Sequence, residues 1–391
     1  MAYGLNTETV ITDFGGTAAD SFGNLRVAKE FSIADYKQIF DKNIQFFDES
    51  LTGATSTFIT NGSKVRLQCT AINQSAIRQT YLLHPYQPGK GLGFKITGVL
   101  YSASNANYYS ELGLLDNENG IGFYYDGTTV GVLIRSFVSG VAVDTKIPRA
   151  SWSENTCDDI DFTKTQIFRA SGQWLGVGTV TFSIVHNGVI RIVHQEHHNN
   201  LITDVYCTTL SLPIRYKCST DGSFSGSIFT DCICAEVFSQ GGYNPTGDLR
   251  VVDRGITPLT VTTTETCILA VRAKSGFKLN LLPTSVDLVS STADNVLYRI
   301  YIGGTVTGGA WVNVGPTNRS EYNVTATSFT GTNLIISTYS SDQIREAIKE
   351  FKLKETAGIS IDGTQQPIII TARNLTGTAG ILTSLHFKEI Y

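Results

Sequence analysis

Short runs rich in Val, Ile, Thr, Tyr and Phe recur along this chain, each ending in a cluster of Gly, Asn, Asp and Ser. This pattern constrains the fold more than any other, because strands joined by turns look like this and helices do not. Residues 64–69, 95–100, 131–137, 177–185, 188–194, 267–273, 296–302 and 368–372 are the clearest runs. Two of them are separated only by His186-Asn187, and the Asn187-Gly188 step, which needs positive φ, predicts a tight hairpin. The 37 glycines supply further turns, and a charged fraction of 16% argues against a helical, charge-laced protein. One segment departs from the pattern. From Ser340 to Phe351, a Ser/Asp start suited to an N-cap precedes Ile344, Ile348 and Phe351 at helical spacing, predicting one short helix.

A repeated pentamer divides the chain. Gly23-Asn-Leu-Arg-Val27 returns as Gly247-Asp-Leu-Arg-Val251, directly after the loop signal Gly241-Gly-Tyr-Asn-Pro-Thr-Gly247. The expected organisation is an extended N-terminal arm (1–30), a concanavalin-like β-sandwich (31–244) and a jelly-roll-like β-sandwich (245–391). The fold class is therefore all-β with two domains, and 391 residues are enough for each domain to bury its own core.

Charge and cysteine content narrow the partners. A net charge of −4 provides no basic field for sequence-independent binding to phosphates, so direct nucleic-acid binding is not expected. The start of the chain has neither a positive n-region nor an apolar h-region, and no apolar run is long enough for a membrane span; neither a signal peptide nor a span is expected. The seven cysteines lack paired C-x-x-C spacing and fit a reducing compartment. Cys232 and Cys234, two apart in a predicted strand, should share one face as small hydrophobes.

The motifs that would carry chemistry are incomplete. His194-Gln-Glu-His-His198 spaces two histidines as in a zinc helix, but it lacks the Glu at the second position and follows a strand. Gly222-Ser-Phe-Ser-Gly226 has Phe where a nucleophile elbow needs Ser. No phosphate-binding or dinucleotide fingerprint leads from a strand into a helix. Asp159 and Asp161 have the i, i+2 spacing of paired glycosidase carboxylates, without the third acid of that pattern. No enzyme activity, catalytic residue, metal site or cofactor is expected. Trp152 and Trp174, with Tyr108-Tyr109 and Tyr124-Tyr125, suit either a sugar-stacking platform or a core and subunit interface.

Five stretches together carry a resemblance: Asp20-Ser-Phe-Gly-Asn-Leu-Arg-Val27, Tyr86-Gln-Pro-Gly-Lys90, Gln173-Trp-Leu-Gly-Val-Gly178, Leu212-Pro-Ile-Arg-Tyr216 with the preceding Tyr206, and Cys267-Ile-Leu-Ala-Val-Arg272. The chain resembles virion structural proteins of tailed bacteriophages and large algal DNA viruses, which open with a DAFGRLRVS-like stretch; Ser21 and Asn24 depart from it. The resemblance implies a virion location, on the capsid, its vertices, a fibre or a tail, and it transfers no active site. The function expected is symmetric assembly, with a trimeric or pentameric homo-oligomer and other capsid or tail proteins as partners. Phe22, Leu25, Arg26, Leu249 and Arg250 are the expected assembly contacts. Each arginine would grip a carboxylate of a neighbouring chain or of its own. The alternative is a carbohydrate-binding adhesin that takes a host-surface glycan on Trp152 and Trp174, and a glycoside hydrolase is the weaker rival.

Overall fold

A computed structural model describes residues 30–175, 178–292, 295–315, 319–340, 346–349, 351 and 355–391. Every strand pairing between its named strands is antiparallel, and the complete helical turns among those residues are the 3-10 turns Thr60–Gly62 and Arg149–Ser151. The expected arm falls, apart from Glu30, outside the described residues, and with it Phe22, Leu25, Arg26 and the first copy of the pentamer.

The N-terminal unit consists of two large antiparallel sheets stacked face to face. In spatial order, one sheet runs Val189–His197, Thr179–His186, Gln166–Gly172, Gly91–Val99, Ile228–Gln240, Lys64–Cys69 and Thr55–Ile59. The other runs Val143–Pro148, Val130–Ser136, Gly120–Tyr125, Tyr108–Leu115, Ile214–Thr220, Ser75–Thr80 and Phe47–Thr52. Alternate residues of the two sheets interleave in one core: Phe123 meets Phe168 and Phe182 of the facing sheet at ring-centroid distances of 5.1 and 5.7 Å, all three fully buried. Each such ring contributes roughly 1.5–3 kcal/mol by leaving water. The predicted hairpin is present, with Asn187 at φ 51° and Gly188 at φ 75°.

Strand Ile228–Gln240 changes partner halfway along. Residues 228–232 pair with Lys64–Cys69 and residues 234–239 with Phe31–Lys37, and a bulge separates the two registers. This corrects the expectation for the two close cysteines. The inserted residue breaks the period-2 alternation, so Cys232 lies in the core while Cys234 is half-buried. A different pair of thiols meets in the core, Cys69 and Cys218, from opposite sheets, with Sγ atoms 3.7 Å apart.

The C-terminal unit has a separate core, and its strand order is that of a jelly roll. Its main strands in chain order are Asp248–Asp253 continued by Leu259–Val261, then Thr266–Ala273, Asn280–Ser290, Val296–Thr307, Ser328–Ser340, Glu346–Lys349, Ile368–Asn374 and Ala379–Ile390. The first, eighth, third and sixth form one sheet; the second, seventh, fourth and fifth form the other, extended by the hairpin Val312–Asn313 and Ser320–Asn323. The sixth strand corrects the helix expected between Ser340 and Phe351. Residues 346–349 pair with Ser285–Leu288 of the neighbouring strand, and the open sheet edge outweighs the local helical spacing.

Candidate functional site

Three of the stretches singled out in the sequence, those beginning at Tyr86, Gln173 and Tyr206, come together at one corner, beside the place where the two sandwiches meet. In the segment Tyr86-Gln-Pro-Gly-Lys90, the Lys90 N–H donates to Gln87 O at 3.2 Å and closes a turn around Pro88 and Gly89, with Gly89 at φ 82°. The Tyr86 N–H donates to Ser211 Oγ at 3.1 Å, and the Tyr86 ring meets Trp174 edge-on at 5.9 Å. Trp174 is half-buried and donates its Nε1–H to Cys207 O at 2.7 Å; next to Cys207, Tyr206 stacks on His198 at 4.3 Å. The stretches beginning at Tyr86, Gln173 and Tyr206 thus form one packed corner.

His84, fully buried two residues before Tyr86, ties the corner together. Its backbone N–H and its Nδ1–H both donate to Leu212 O, at 2.9 and 2.8 Å, which leaves Nε2 to accept from the Tyr36 hydroxyl at 3.0 Å. Both ring nitrogens are satisfied by the neutral form. Burial pushes its pKa down to about 4, because the imidazolium would lose its water and the Tyr36 bond would lose its acceptor.

The linker between the sandwiches is clamped by the same turn. Gln87 bonds Asn244 through both ends of its amide: Nε2 donates to the Asn244 carbonyl, and Oε1 accepts the Asn244 N–H at 3.3 Å. Lys90 Nζ donates to Gln87 Oε1 at 2.8 Å and to Gly242 O at 3.0 Å. Beyond the linker, Arg250 donates through Nε to the buried Glu389 carboxylate at 3.1 Å. Arg319 reaches the same carboxylate at 3.0 Å and also pairs with Asp248, while Ser320 Oγ donates to Glu389 at 2.7 Å. The structure therefore places Arg250 in a contact within its own chain, whereas its neighbour Leu249 is 58% exposed. A cleft of about 670 Å³, lined by Tyr86, Gln87, Lys90, Asn244, Glu389 and Tyr391 among others, marks where the two sandwiches part.

Further contacts hold the junction away from the linker. Asn280 is buried and bonds Leu83 twice, accepting its N–H at 3.1 Å and donating to its carbonyl at 2.6 Å. Lys278 Nζ pairs with Asp116 at 2.6 Å and Glu118 at 2.7 Å. The Ile359 N–H donates to Tyr81 O at 2.9 Å, and a Cβ on Gly358 would stand 2.1 Å from that same oxygen, so only glycine lets the backbones approach this closely. These partners are 160 or more residues apart in sequence, and no local signal connects them.

The other residues considered from sequence do not assemble. Trp152 is buried in the core against Phe162 at 6.2 Å, which corrects its candidacy for a stacking platform, whereas Trp174 is half-buried and its N–H is held by the Cys207 carbonyl. Asp159 pairs with Arg191 of a neighbouring strand at 2.7 Å, while Asp161 accepts from the Thr163 N–H and hydroxyl in a turn, so the two carboxylates of this loop are committed to different partners. His194 faces Glu196 and the Ser153 N–H, and His198 faces Gly178 O. Among the described residues, no group of three His, Cys, Asp or Glu side chains could hold a metal ion, and no helix is long and apolar enough to cross a membrane.

No family model and no curated protein matches the chain. Solved structures resemble part of it at low overlap. A legume lectin-like domain from Entamoeba histolytica is 11% identical with a TM-score of 0.32, covering 54% of this chain and 98% of that one. Lectin I-B4 from Griffonia simplicifolia is 11% identical with a TM-score of 0.33, covering 53% and 99%. The CBM2 module of the evolved Dit of Lactobacillus casei BL23 phage J-1 is 10% identical with a TM-score of 0.33, covering 56% and 100%.

Proposed function

We propose that this chain is a structural protein of a virus particle that works through symmetric assembly. The observation that carries this reading is a stiff two-sandwich unit with open sheet edges. The junction is pinned at the linker, at Asn280, at Lys278 and at Gly358. Among the described residues, the outermost strands Val143–Pro148, Asp248–Asp253 and Ser328–Ser340 each pair on one side only. They carry exposed apolar side chains: Val143 at 49%, Leu249 at 58% and Tyr339 at 65%. A free-standing protein generally blunts such edges, whereas a subunit uses them to add a neighbour's strand or to bury apolar side chains in a closed ring.

The resemblance of the five motif stretches to virion proteins supports the same reading and gives three of them a structural role, since they form the corner that fixes one sandwich against the other. A rigid junction makes each contact of a subunit reinforce the next, which is how weak contacts yield a durable shell. Light scattering on the purified full chain tests the proposal. A defined trimer or pentamer, which dissociates when Leu249 and Val251 are both changed to Lys, is the expected result. A chain that stays monomeric at high concentration overturns it.

A further inference from the structure

At one end of the N-terminal sandwich the chain crosses directly from one sheet to the other, and two thiols face each other there. Strand Lys64–Cys69 of the first sheet runs into a turn at residues 70–74, and the chain continues as Ser75–Thr80 of the second. The turn is tied to strand Ile214–Thr220, the neighbour of Ser75–Thr80. The Gln74 N–H donates to Thr220 Oγ1 at 2.9 Å, the Thr220 hydroxyl donates to Ala71 O at 2.8 Å, and the Thr220 N–H donates to Gln74 O at 2.9 Å. Inside the turn, the Gln74 side-chain carbonyl accepts the N–H groups of Thr70 at 2.7 Å and Ala71 at 3.2 Å. Cys69 is the last strand residue before the crossing, and the register sets Cys218 opposite Ala76, just after it. The crossing therefore brings both cysteines to the same end from opposite sheets.

Their placement is what a covalent bridge needs. Facing sheets ordinarily stand about 10 Å apart. Here Cα atoms of Lys64–Cys69 and Ile214–Thr220 come within 8 Å of each other across the sandwich, close to the span of roughly 4.5–7 Å that a disulfide accepts. The two Sγ atoms lie 3.7 Å apart and both side chains are fully buried. Closing that contact to a bond of about 2 Å asks for adjustment of the two side chains, not for a new register. Among the described residues, no group of three His, Cys, Asp or Glu side chains could hold a metal ion, so the pair is not half of a metal centre. The cover over it is thin: residues 70–73 are exposed, Ile72 at 51%. Lifting this one turn uncovers Cys69 without parting the rest of the core.

The geometry points to a redox-modification site, in which Cys69 and Cys218 fold as thiols and a low-molecular-weight disulfide converts them into a bridge between the two sheets. The Cys69 thiolate attacks one sulfur of the external disulfide and expels the other as a thiolate. The Cys218 thiolate then attacks the Cys69 sulfur of the mixed disulfide and expels the second small thiolate. Two electrons pass from the protein to the external disulfide, and the two protons end on the small thiols released. The bridge joins residues 149 apart in sequence. It restricts the unfolded chain far more than the native end, where the partners already touch, and so stabilises the fold. Every group involved belongs to one chain, so the site does not depend on the assembly reading.

The test is to incubate the full-length protein with oxidised glutathione, block the remaining thiols with an alkylating reagent and map the cross-links by peptide mass spectrometry. Five of the seven thiols should stay free, with the Cys69 and Cys218 peptides linked to each other. The N-terminal melting temperature should rise by roughly 5–10 °C, and dithiothreitol should reverse the gain. Cys69→Ala and Cys218→Ala should each lose both the cross-link and the oxidant-dependent shift. Cys232→Ala, which removes a fully buried thiol of the same core outside the pair, should keep both. If an alanine variant fails to fold, the cross-link mapped in the native chain decides alone. The proposal is overturned if all seven thiols remain free, if Cys218 is found linked to Cys232 instead, or if the bridged protein melts no higher than the reduced one.

Discussion

The two sandwiches solve the same packing problem with different materials. The N-terminal one buries Arg78, Glu111, Arg135, Arg169, Arg215 and Asp231, whereas among the described residues of the C-terminal one the buried charge is Glu389. In the first, the buried ions are paired or richly hydrogen-bonded. Asp231 is held by Lys64 at 2.7 Å and Arg66 at 2.8 Å, and Arg78, lying over the Phe47 ring, pairs with Glu49 and bonds the Lys42 carbonyl. The second relies on branched aliphatic residues such as Ile268, Ile300, Ile370 and Ile381 meeting across two sheets. Buried ion pairs add little net stability, yet removing one partner is costly because the other is left charged and dry. The N-terminal sandwich should therefore be the one whose stability responds to point changes of charge and to pH.

That contrast can be broken most directly at Arg135. Arg135→Ala takes from buried Glu111 its ion-pair partner and leaves only the unbonded charges of Lys217 and Arg215 nearby, and should cost the N-terminal sandwich about 3–5 kcal/mol. Denaturant unfolding followed by Tyr and Trp signals should then separate into two transitions, with the C-terminal one unmoved. A single transition shifted as a whole would show that the junction couples the two cores fully.

Acid offers the next largest effect. The folded-state pKa of His84 is pushed down to about 4, below its unfolded value of 6.5, so the unfolded chain binds the proton first. Stability is complete above pH 6.5 and falls as pH drops from 6.5 towards 4, by roughly 3 kcal/mol in total. The upper part of this window lies above the carboxylate range. His84→Gln should flatten the pH dependence of the N-terminal melting temperature between pH 6.5 and 5, and an unchanged slope would remove His84 from the account.

Smaller effects sharpen the picture of the junction. Asn280→Ala withdraws both partners of Leu83 in a buried setting and should cost about 2 kcal/mol, read as an earlier melt together with loss of coupling between the two transitions. Lys278→Ala removes a half-exposed pair with Asp116 and Glu118, and should cost at most about 1 kcal/mol, diminishing further in high salt. If Lys278→Ala proves the more damaging of the two, the sandwiches are held by charge rather than by the buried amide.

Much of the fold was legible because it is written in local chemistry. The alternation of β-branched and polar residues produced the all-β assignment, and Asn187-Gly188 the hairpin. The errors came where a neighbour in space overruled the local pattern. The segment around Glu346 has helical spacing but lies against the edge of strand Asn280–Ser290, and Cys234 turns away from Cys232 because its strand exchanges partners at a bulge. The candidate sites were less legible still. The tryptophans were noticed as aromatics, but exposure, which decides between platform and core, is not a property of the sequence.

Read alone, the sequence dictates the material: strands of a given length, turns where glycine or asparagine accepts positive φ, and too few charges for a charge-laced helical protein. These follow from backbone sterics and composition, which act over a few residues. It takes the packed chain for Arg135 to reach Glu111, for Asn280 to close on Leu83, for His84 to be held neutral between Tyr36 and Leu212, and for Lys146 and Lys217 to approach one tyrosine ring. Register and sheet stacking bring those groups together across as many as 197 residues, and electrostatic and hydrogen-bond energies depend on distance in space rather than along the chain.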